Sequence, residues 1–578
     1  MGFLYKIFLP TKNTASSCDI NAQIDELNIH LPKIFGNSKK AYLTKFKIHN
    51  YCQFNWSNTT LENKSMQQLT KPKKIAIIGA GFRGITAAKI FQDAGIEFVI
   101  LDKNDATGGV WRTFANQSSY VQIPEPEYRF EMDYPNGLPS EFTPRDEILA
   151  HAERFINVHG IAKHIIFKSE VFSIEDISNS KYRVHYKHDN GNKSLEVDGI
   201  YYAGGRLHKR RTVHFPGEEN FQGLIRYGLS DDMPISEYRG KKVAIIGCGA
   251  FAMENARTAL LNGATHVTII AKTINIVLPR MVMFWLNSMR LAPVAPLLKM
   301  SWKMYDWAGT NFMKENLDGF SINQRTVPII SDFIFLAHKV GKAEFKKGSI
   351  DFIDSNSVIT SDGSQVEADI ILKCVGFEGQ MDVFKQVYPP FEAVNWIWVN
   401  KKTNFVLDQD PEFGMTTKAT KLMTSGSTLL LTKIAARVFA MSLINPSKFE
   451  QIIPLLPTSE NAGYNISYHM GSLSKLLVAN KDIKKFLLRT SAKKSKSMIE
   501  KGGNGKYLEF CKREWKQQCE ALGVEEVEYP FLFPWWILVW ENWQQLVNRF
   551  FLAVFPEPNI VTDIQSEDVE WSFINAES

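Results

Sequence analysis

Lys73-Lys74-Ile75-Ala76-Ile77-Ile78-Gly79-Ala80-Gly81-Phe82-Arg83-Gly84 is the stretch that decides the fold of this chain. The apolar run Ile75 to Ile78 has the length, and the lack of alternation, of a parallel strand buried on both faces. A glycine-rich turn follows it, and a helix-like stretch opens around Ile85. In a G-x-G-x-x-G turn the first glycine, Gly79, makes the tight turn. Gly81 leaves room for a pyrophosphate against the backbone, and Gly84 lets the helix pack closely on the strand. The helix N-terminus at Phe82 and Arg83 is expected to offer backbone N–H groups and a partial positive charge to a phosphate. A second apolar run, Phe98-Val99-Ile100-Leu101, leads into Asp102, 23 positions after Gly79. There an acid accepts ribose hydroxyls, with Lys103 beside it.

The same pattern recurs from Lys241. Lys241-Lys242-Val243-Ala244-Ile245-Ile246 runs into Gly247-Cys248-Gly249-Ala250-Phe251-Ala252, the relaxed form of the turn in which alanine takes the third glycine's place. Its second strand, Val267-Thr268-Ile269-Ile270, is followed by Ala271 and Lys272, a cation where the first unit has an acid. A cation there suits the 2′-phosphate of NADPH. Two βαβ units predict an α/β chain with two Rossmann-like dinucleotide-binding domains. The expected organisation is an N-terminal extension over 1–72, whose polar sequence shows no sustained periodicity. A first dinucleotide domain follows over 73–235, then a second over 236–367 with a helical insertion at about 278–330. The chain is expected to return to the first domain over 368–450 and to end in a helix-rich region with an aromatic tail over 451–578.

Bulk properties narrow the function classes. The 578 residues are 44% hydrophobic and 22% charged, ordinary for a globular protein of several domains. A net charge of +6 spread over that length is too diffuse for a nucleic-acid partner. The six cysteines include no Cys-x-x-Cys, which argues against a zinc site and a redox dithiol, and no metal site is expected. Cys248 and Cys374 lie in apolar, glycine-flanked runs and read as buried thiols in a reducing compartment. The first apolar residues lack the length and the basic lead-in of a signal peptide, so a cytoplasmic location is expected.

Gly108-Gly109-Val110-Trp111-Arg112 follows Asp102. Here the sequence resembles the class B flavoprotein monooxygenases, the flavin-containing monooxygenases and their Baeyer–Villiger relatives, whose FAD motif continues into a Gly-Gly-x-Trp-Arg segment. The resemblance extends from Lys73 to Gln380 and includes Ala368 to Phe377, similar to that family's late Ala-Thr-Gly motif with Gly376 as its glycine. It also includes the linker Phe221 to Asp232, similar to the fingerprint F-x-G-x-x-x-H-x-x-x-(W/P)-(P/D). Phe221, Gly223 and Asp232 match that pattern, whereas Tyr227 replaces the histidine and Asp231 the tryptophan or proline. In the second turn Phe251 replaces a serine usual in the family.

The resemblance implies FAD on the first turn and NADPH on the second, with oxygen and a small-molecule substrate as reactants. It implies that NADPH reduces FAD, that oxygen adds to the reduced flavin at C4a, and that the resulting (hydro)peroxyflavin oxygenates nitrogen, sulfur or a carbonyl carbon. No catalytic residue is assigned. Gln122 lies near the position of a family asparagine, and Arg325 near that of a Baeyer–Villiger arginine, but a surface role suits the arginine better. An NADPH oxidase releasing hydrogen peroxide and a non-catalytic flavoprotein scaffold stand as alternatives.

The tail segment Tyr529 to Trp540 is nearly all apolar yet too short for the ~20 residues that span a bilayer. It reads as a buried strand or helix, as an interfacial contact with a membrane, or as a pocket or partner surface. The first is favoured because the following polar residues form a block instead of one helical face.

Overall fold

The computed structural model describes residues 74–554 apart from 123–129, 131–142, 178–180, 206, 289–293, 319–320, 323–328, 531–534 and most of 381–502. The extension over 1–72, Arg325, Cys18 and Cys52 lie outside the described residues. The first lobe is built on β1 (Lys74–Ile78), α1 (Phe82–Asp93), β2 (Glu97–Leu101), the short α2 (Val110–Thr113) and β3 (Gly199–Tyr202). β1 lies between β2 and β3 and is parallel to both, with Ile77 level with Ile100 and Tyr201. Its unbroken apolar run has a direct cause: Ile75 and Ile77 pack with Ile85, Ala88 and Phe91 of α1, while Ala76 and Ile78 pack with Val184 and Tyr202 on the opposite face. Each isoleucine so buried contributes roughly 1.5–3 kcal/mol. The sheet has seven strands, and Glu392–Val394, Ile397–Asn400 and Phe405–Leu407 extend it beyond β3.

The second lobe repeats the construction with β4 (Lys242–Ile246), α3 (Ala250–Leu261), β5 (His266–Ala271) and β6 (Ile370–Lys373). Five parallel strands run in the order Ala343–Lys347, β5, β4, β6, Leu224–Arg226. Val243 and Ile245 face one core and Ala244 and Ile246 the other. Helices Arg280–Ser288 and Val294–Ala308 lie in the 278–330 region. Two strands fall across the boundaries expected at 235 and 368. Leu224–Arg226 pairs with β6, and β6 with β4, so both complete the second sheet. Three residues are too short a run to announce a strand, and the run Ile370–Lys373 leads directly into the motif-like segment that ends at Gly376.

Near the C-terminus, α4 (Gly503–Ala521) lays Tyr507, Cys511, Trp515 and Cys519 along one stripe at four-residue spacing. All four are buried in the second lobe's core, as an amphipathic helix requires. α5 (Trp535–Val554) carries most of the aromatic tail. The polar block after Trp540 places Gln544 and Asn548 four apart on a buried face, hydrogen-bonded to each other, while Val539, Trp543 and Phe550 are exposed. Of the segment Tyr529 to Trp540, the side chains of 531–538 and of Trp540 lie outside the described residues; Tyr529 is buried and Val539 exposed. No described helix is long and apolar enough to cross a membrane.

Candidate functional site

The first turn is held from below and open above. A methyl group at Gly84 would collide with the Gly79 carbonyl oxygen, so the third glycine sets the distance of α1 from β1. Gly81 caps α1 with no side-chain hydrogen bond, and the first intrahelical bond is Ile85 N–H to the Gly81 carbonyl. A helix that starts without a side-chain cap is the usual seat for a phosphate. Phe82 and Arg83 turn their side chains inward: Phe82 stacks on Phe130 at 4.8 Å, and Arg83 donates to Thr432 Oγ1 at 3.1 Å.

Asp102 directly follows β2, where the sequence expects a ribose ligand, and it also fastens the turn itself. Its carboxylate accepts the N–H of Ala80 through Oδ2 and of Asn104 through Oδ1, clamping the turn. Burial raises its pKa, outweighing the hydrogen bonds from Asn104 and Ala80. Lys103 points away, donating to the His208 carbonyl at 2.8 Å. The Gly108–Arg112 segment is fastened to the same turn: Thr107 Oγ1 donates to the Ala80 carbonyl at 2.6 Å, and Gly109 lies against Gly81. Val110 is partly exposed beside it, and Trp111 packs against the first core.

The second turn is looser. Gly247 has φ +120°, where a side chain would also meet the Cys374 carbonyl. Around Gly249 the space a Cβ would take is open to 4 Å, and α3 starts there without a side-chain cap. Ala250 is exposed in the first turn of α3, and Ala252 is fully buried where the first lobe needs glycine. Lys272 is exposed just beyond β5, and among the described residues it has no ion-pair partner. Gln122 donates weakly to the Ala250 carbonyl and to Glu254, both at 3.4 Å, which fastens it to α3. Gly376 follows β6, and its carbonyl accepts the Arg211 N–H at 3.0 Å.

A buried polar network was not foreseen. Arg257 of α3 lies over the Tyr120 ring at 3.9 Å and pairs with Glu254 at 2.8 Å. Arg280 bonds to the Tyr120 hydroxyl and to Glu514 of α4. Asp332 accepts from the Arg280 N–H at 2.9 Å and from the Tyr529 hydroxyl at 2.7 Å. Burial raises the Asp332 carboxyl against the pull of Arg280 and these hydrogen bonds. The network ties the C-terminal region into the second lobe, and no local pattern in the sequence could reveal partners so far apart.

Comparisons with known proteins agree with this geometry. The flavin-binding monooxygenase-like family model matches residues 72–388. A 4-hydroxybenzoate brominase (decarboxylating) of Pseudoalteromonas luteoviolacea is 24% identical over 353 residues, covering 55% of this chain and 67% of that protein. Dimethylaniline monooxygenase [N-oxide-forming] 4 of Rattus norvegicus is 25% identical over 345 residues, covering 54% of this chain and 60% of that one. Among solved structures, OTEMO in complex with FAD and NADP superposes with a TM-score of 0.51 at 14% identity, covering 65% of this chain and 85% of that chain. Open cyclohexanone monooxygenase superposes with a TM-score of 0.50 at 15% identity, covering 66% and 88%. At such identities the structures speak for the fold of two Rossmann-type domains, while the family model spans more than half of the sequence. By that match the chain belongs to the flavin-binding monooxygenase-like family.

Proposed function

We infer that the chain is an FAD- and NADPH-dependent monooxygenase of a small organic substrate. The observation that carries this reading is the pair of helix N-termini without a side-chain cap, α1 behind Gly81 and α3 behind Gly249, each following a strand flanked on both sides by parallel neighbours. The residues fit both cofactors: each helix starts without a side-chain cap behind a glycine, and around Gly249 the space a Cβ would take is open. When bound, FAD and NADPH supply the hydride transfer and the oxygen activation.

Around them the chain binds, orients and excludes water. Gly79, Gly81 and the N–H groups of Phe82, Arg83 and Gly84 hold the FAD pyrophosphate, with Asp102 at the ribose. Gly109, Val110 and Trp111 line that side, and Gly376 closes it. Gly247, Gly249, Ala250, Phe251 and Ala252 form the NADPH turn, and the Lys272 ammonium meets the 2′-phosphate. No catalytic side chain is assigned, and Gln122 is read as an anchor to α3. The substrate is taken as a nitrogen, sulfur or carbonyl compound on the family's example. We place the protein in the cytoplasm on its free thiols. Cys248, Cys374, Cys511 and Cys519 are all unbridged, and burial pushes the Cys248 thiol up to about 11 and the Cys374 thiol up to about 12.

The test is stoichiometric. Purified protein supplied with NADPH, oxygen and a panel of amines, sulfides and ketones should yield close to one oxygenated product per NADPH for at least one compound. Full conversion of the NADPH electrons to hydrogen peroxide with every compound would make it an oxidase, and no NADPH consumption would make it a scaffold.

A further inference from the structure

Three positions at which this sequence departs from its family's pattern, Tyr227, Asp231 and Phe251, lie about one joint between the two lobes. Phe251, in the first turn of α3, packs on Phe377 with ring centroids 5.0 Å apart, and Phe377 packs on Phe114 at 4.8 Å. Phe114 belongs to the first lobe, directly after α2, and Phe377 to the strand on which the chain leaves the second lobe. Leu229 and Tyr227 of the incoming linker complete the same apolar cluster. The Tyr227 ring is faced by two cations, Arg210 at 4.2 Å and Lys373 at 5.1 Å. Lys373 is itself held by Glu218 at 3.0 Å.

Asp231 fastens the other end of the linker. It pairs with Arg145 of the first lobe at 2.9 Å and accepts the Gln117 N–H at 2.5 Å. Ser230 and Asp231 hold φ of +53° and +60°, a conformation that side chains rarely adopt unless surrounding contacts impose it. The outgoing and incoming linkers are laced by backbone bonds, His208 N–H to the Glu378 carbonyl at 3.2 Å and Arg211 N–H to the Gly376 carbonyl at 3.0 Å.

We propose that Phe251, Phe377 and Phe114, with Tyr227 and Asp231, form a joint that fixes the angle between the two lobes. Phe251 is thereby a positioning residue for hydride transfer and makes no essential contact with the nucleotide phosphates. A serine at this place could reach a phosphate; the phenyl ring gives up that contact and takes an apolar one across the joint. This inference rests on the reading of the second turn as the NADPH site.

The experiment pairs anaerobic flavin reduction with amide hydrogen exchange in the nucleotide-free holoprotein. In Phe251→Ser the limiting rate of flavin reduction should fall roughly tenfold, since small misplacements of reacting groups act on rate. The dissociation constant for NADPH should change less than about threefold, and exchange at the His208 and Arg211 amides should quicken. Phe251→Leu, which keeps apolar contact with Phe377, should be intermediate in both readouts and carries the test where the serine variant does not accumulate. A weakened NADPH affinity with an unchanged limiting rate would make Phe251 a nucleotide ligand and overturn the proposal. So would wild-type exchange at both amides in either variant. If wild-type flavin is not reduced by NADPH at all, the proposed function fails, and the exchange measurement alone decides the joint.

Discussion

The two glycine turns share a backbone plan and differ in almost every side chain that supports it. The first is clamped: Asp102 and Thr107 hold Ala80 from both sides, and Gly109 lies against Gly81. The second has an alanine in place of the third glycine, an exposed lysine in place of the acid, and a phenylalanine directed at the joint. The common part is dictated by a strand feeding a helix whose N-terminus must face a pyrophosphate. The differing part leaves the first turn clamped and the second open around Gly249. A tightly clamped turn suits a cofactor that stays, and an open one suits a cosubstrate that comes and goes.

The sharpest way to break this comparison is to make opposite exchanges at the third position. Gly84→Ala should abolish flavin retention, because the added methyl meets the Gly79 carbonyl oxygen and α1 must move. Ala252→Gly should cost only about 1 kcal/mol of stability, read by thermal unfolding. Equal and mild effects would show that the two helices are not packed differently. Next in size, Gly81→Val should give colourless protein, while Gly249→Val should stay yellow and lose NADPH binding in a titration. Loss of flavin from both would mean that the lobes are not separate sites.

How much of this was legible beforehand depends on the range over which the signal acts. Both strand–turn–helix units could be read from a dozen residues each, because burial on two faces and close backbone approach leave local marks at Ile75–Ile78 and Gly84. The cation at Lys272 was equally local. The clamp on Ala80, the pairing of Leu224–Arg226 with β6 and the network from Tyr120 through Arg280 to Glu514 join residues far apart in the chain, and each member alone resembles an ordinary loop or helix residue. The aromatic tail shows the limit of composition: a block of polar residues in sequence became a buried Gln544–Asn548 pair once wound into a helix.

A third contrast concerns which lobe the C-terminus supports. Tyr529 is buried in the second lobe's core and donates to Asp332. Tyr529→Phe should lower stability by about 1–3 kcal/mol, the cost of removing one partner from a buried hydrogen bond. The loss should appear as weakened NADPH binding before flavin is released. Simultaneous loss of flavin and NADPH would place Tyr529 in a core common to both lobes.

An effect that shows only as a pH dependence is expected at His208, which accompanies Lys103. Burial, and then the nearby Lys103 and Lys209, push its imidazole down to about 4. Glu170, 3.9 Å away, is too distant to offset them. Since the unfolded imidazole titrates near 6.5, between those values the unfolded chain binds a proton that the folded one refuses. Stability is therefore full above about pH 6.5 and declines as pH falls toward about 4. Thermal unfolding across that range should show this slope in the wild type and a flatter one in His208→Phe. Identical slopes would remove His208 from the account.

The central claim, two turns holding two different dinucleotides, is tested most directly by anaerobic stopped-flow bleaching of the bound flavin with NADPH and with NADH. The account predicts reduction by NADPH at a lower half-saturating concentration than by NADH. Lys272→Ala should raise that concentration for NADPH by about tenfold or more, the worth of a charge-assisted phosphate contact, while leaving that for NADH nearly unchanged. Flavin bleached equally by both nucleotides, in the wild type and in Lys272→Ala alike, would contradict it.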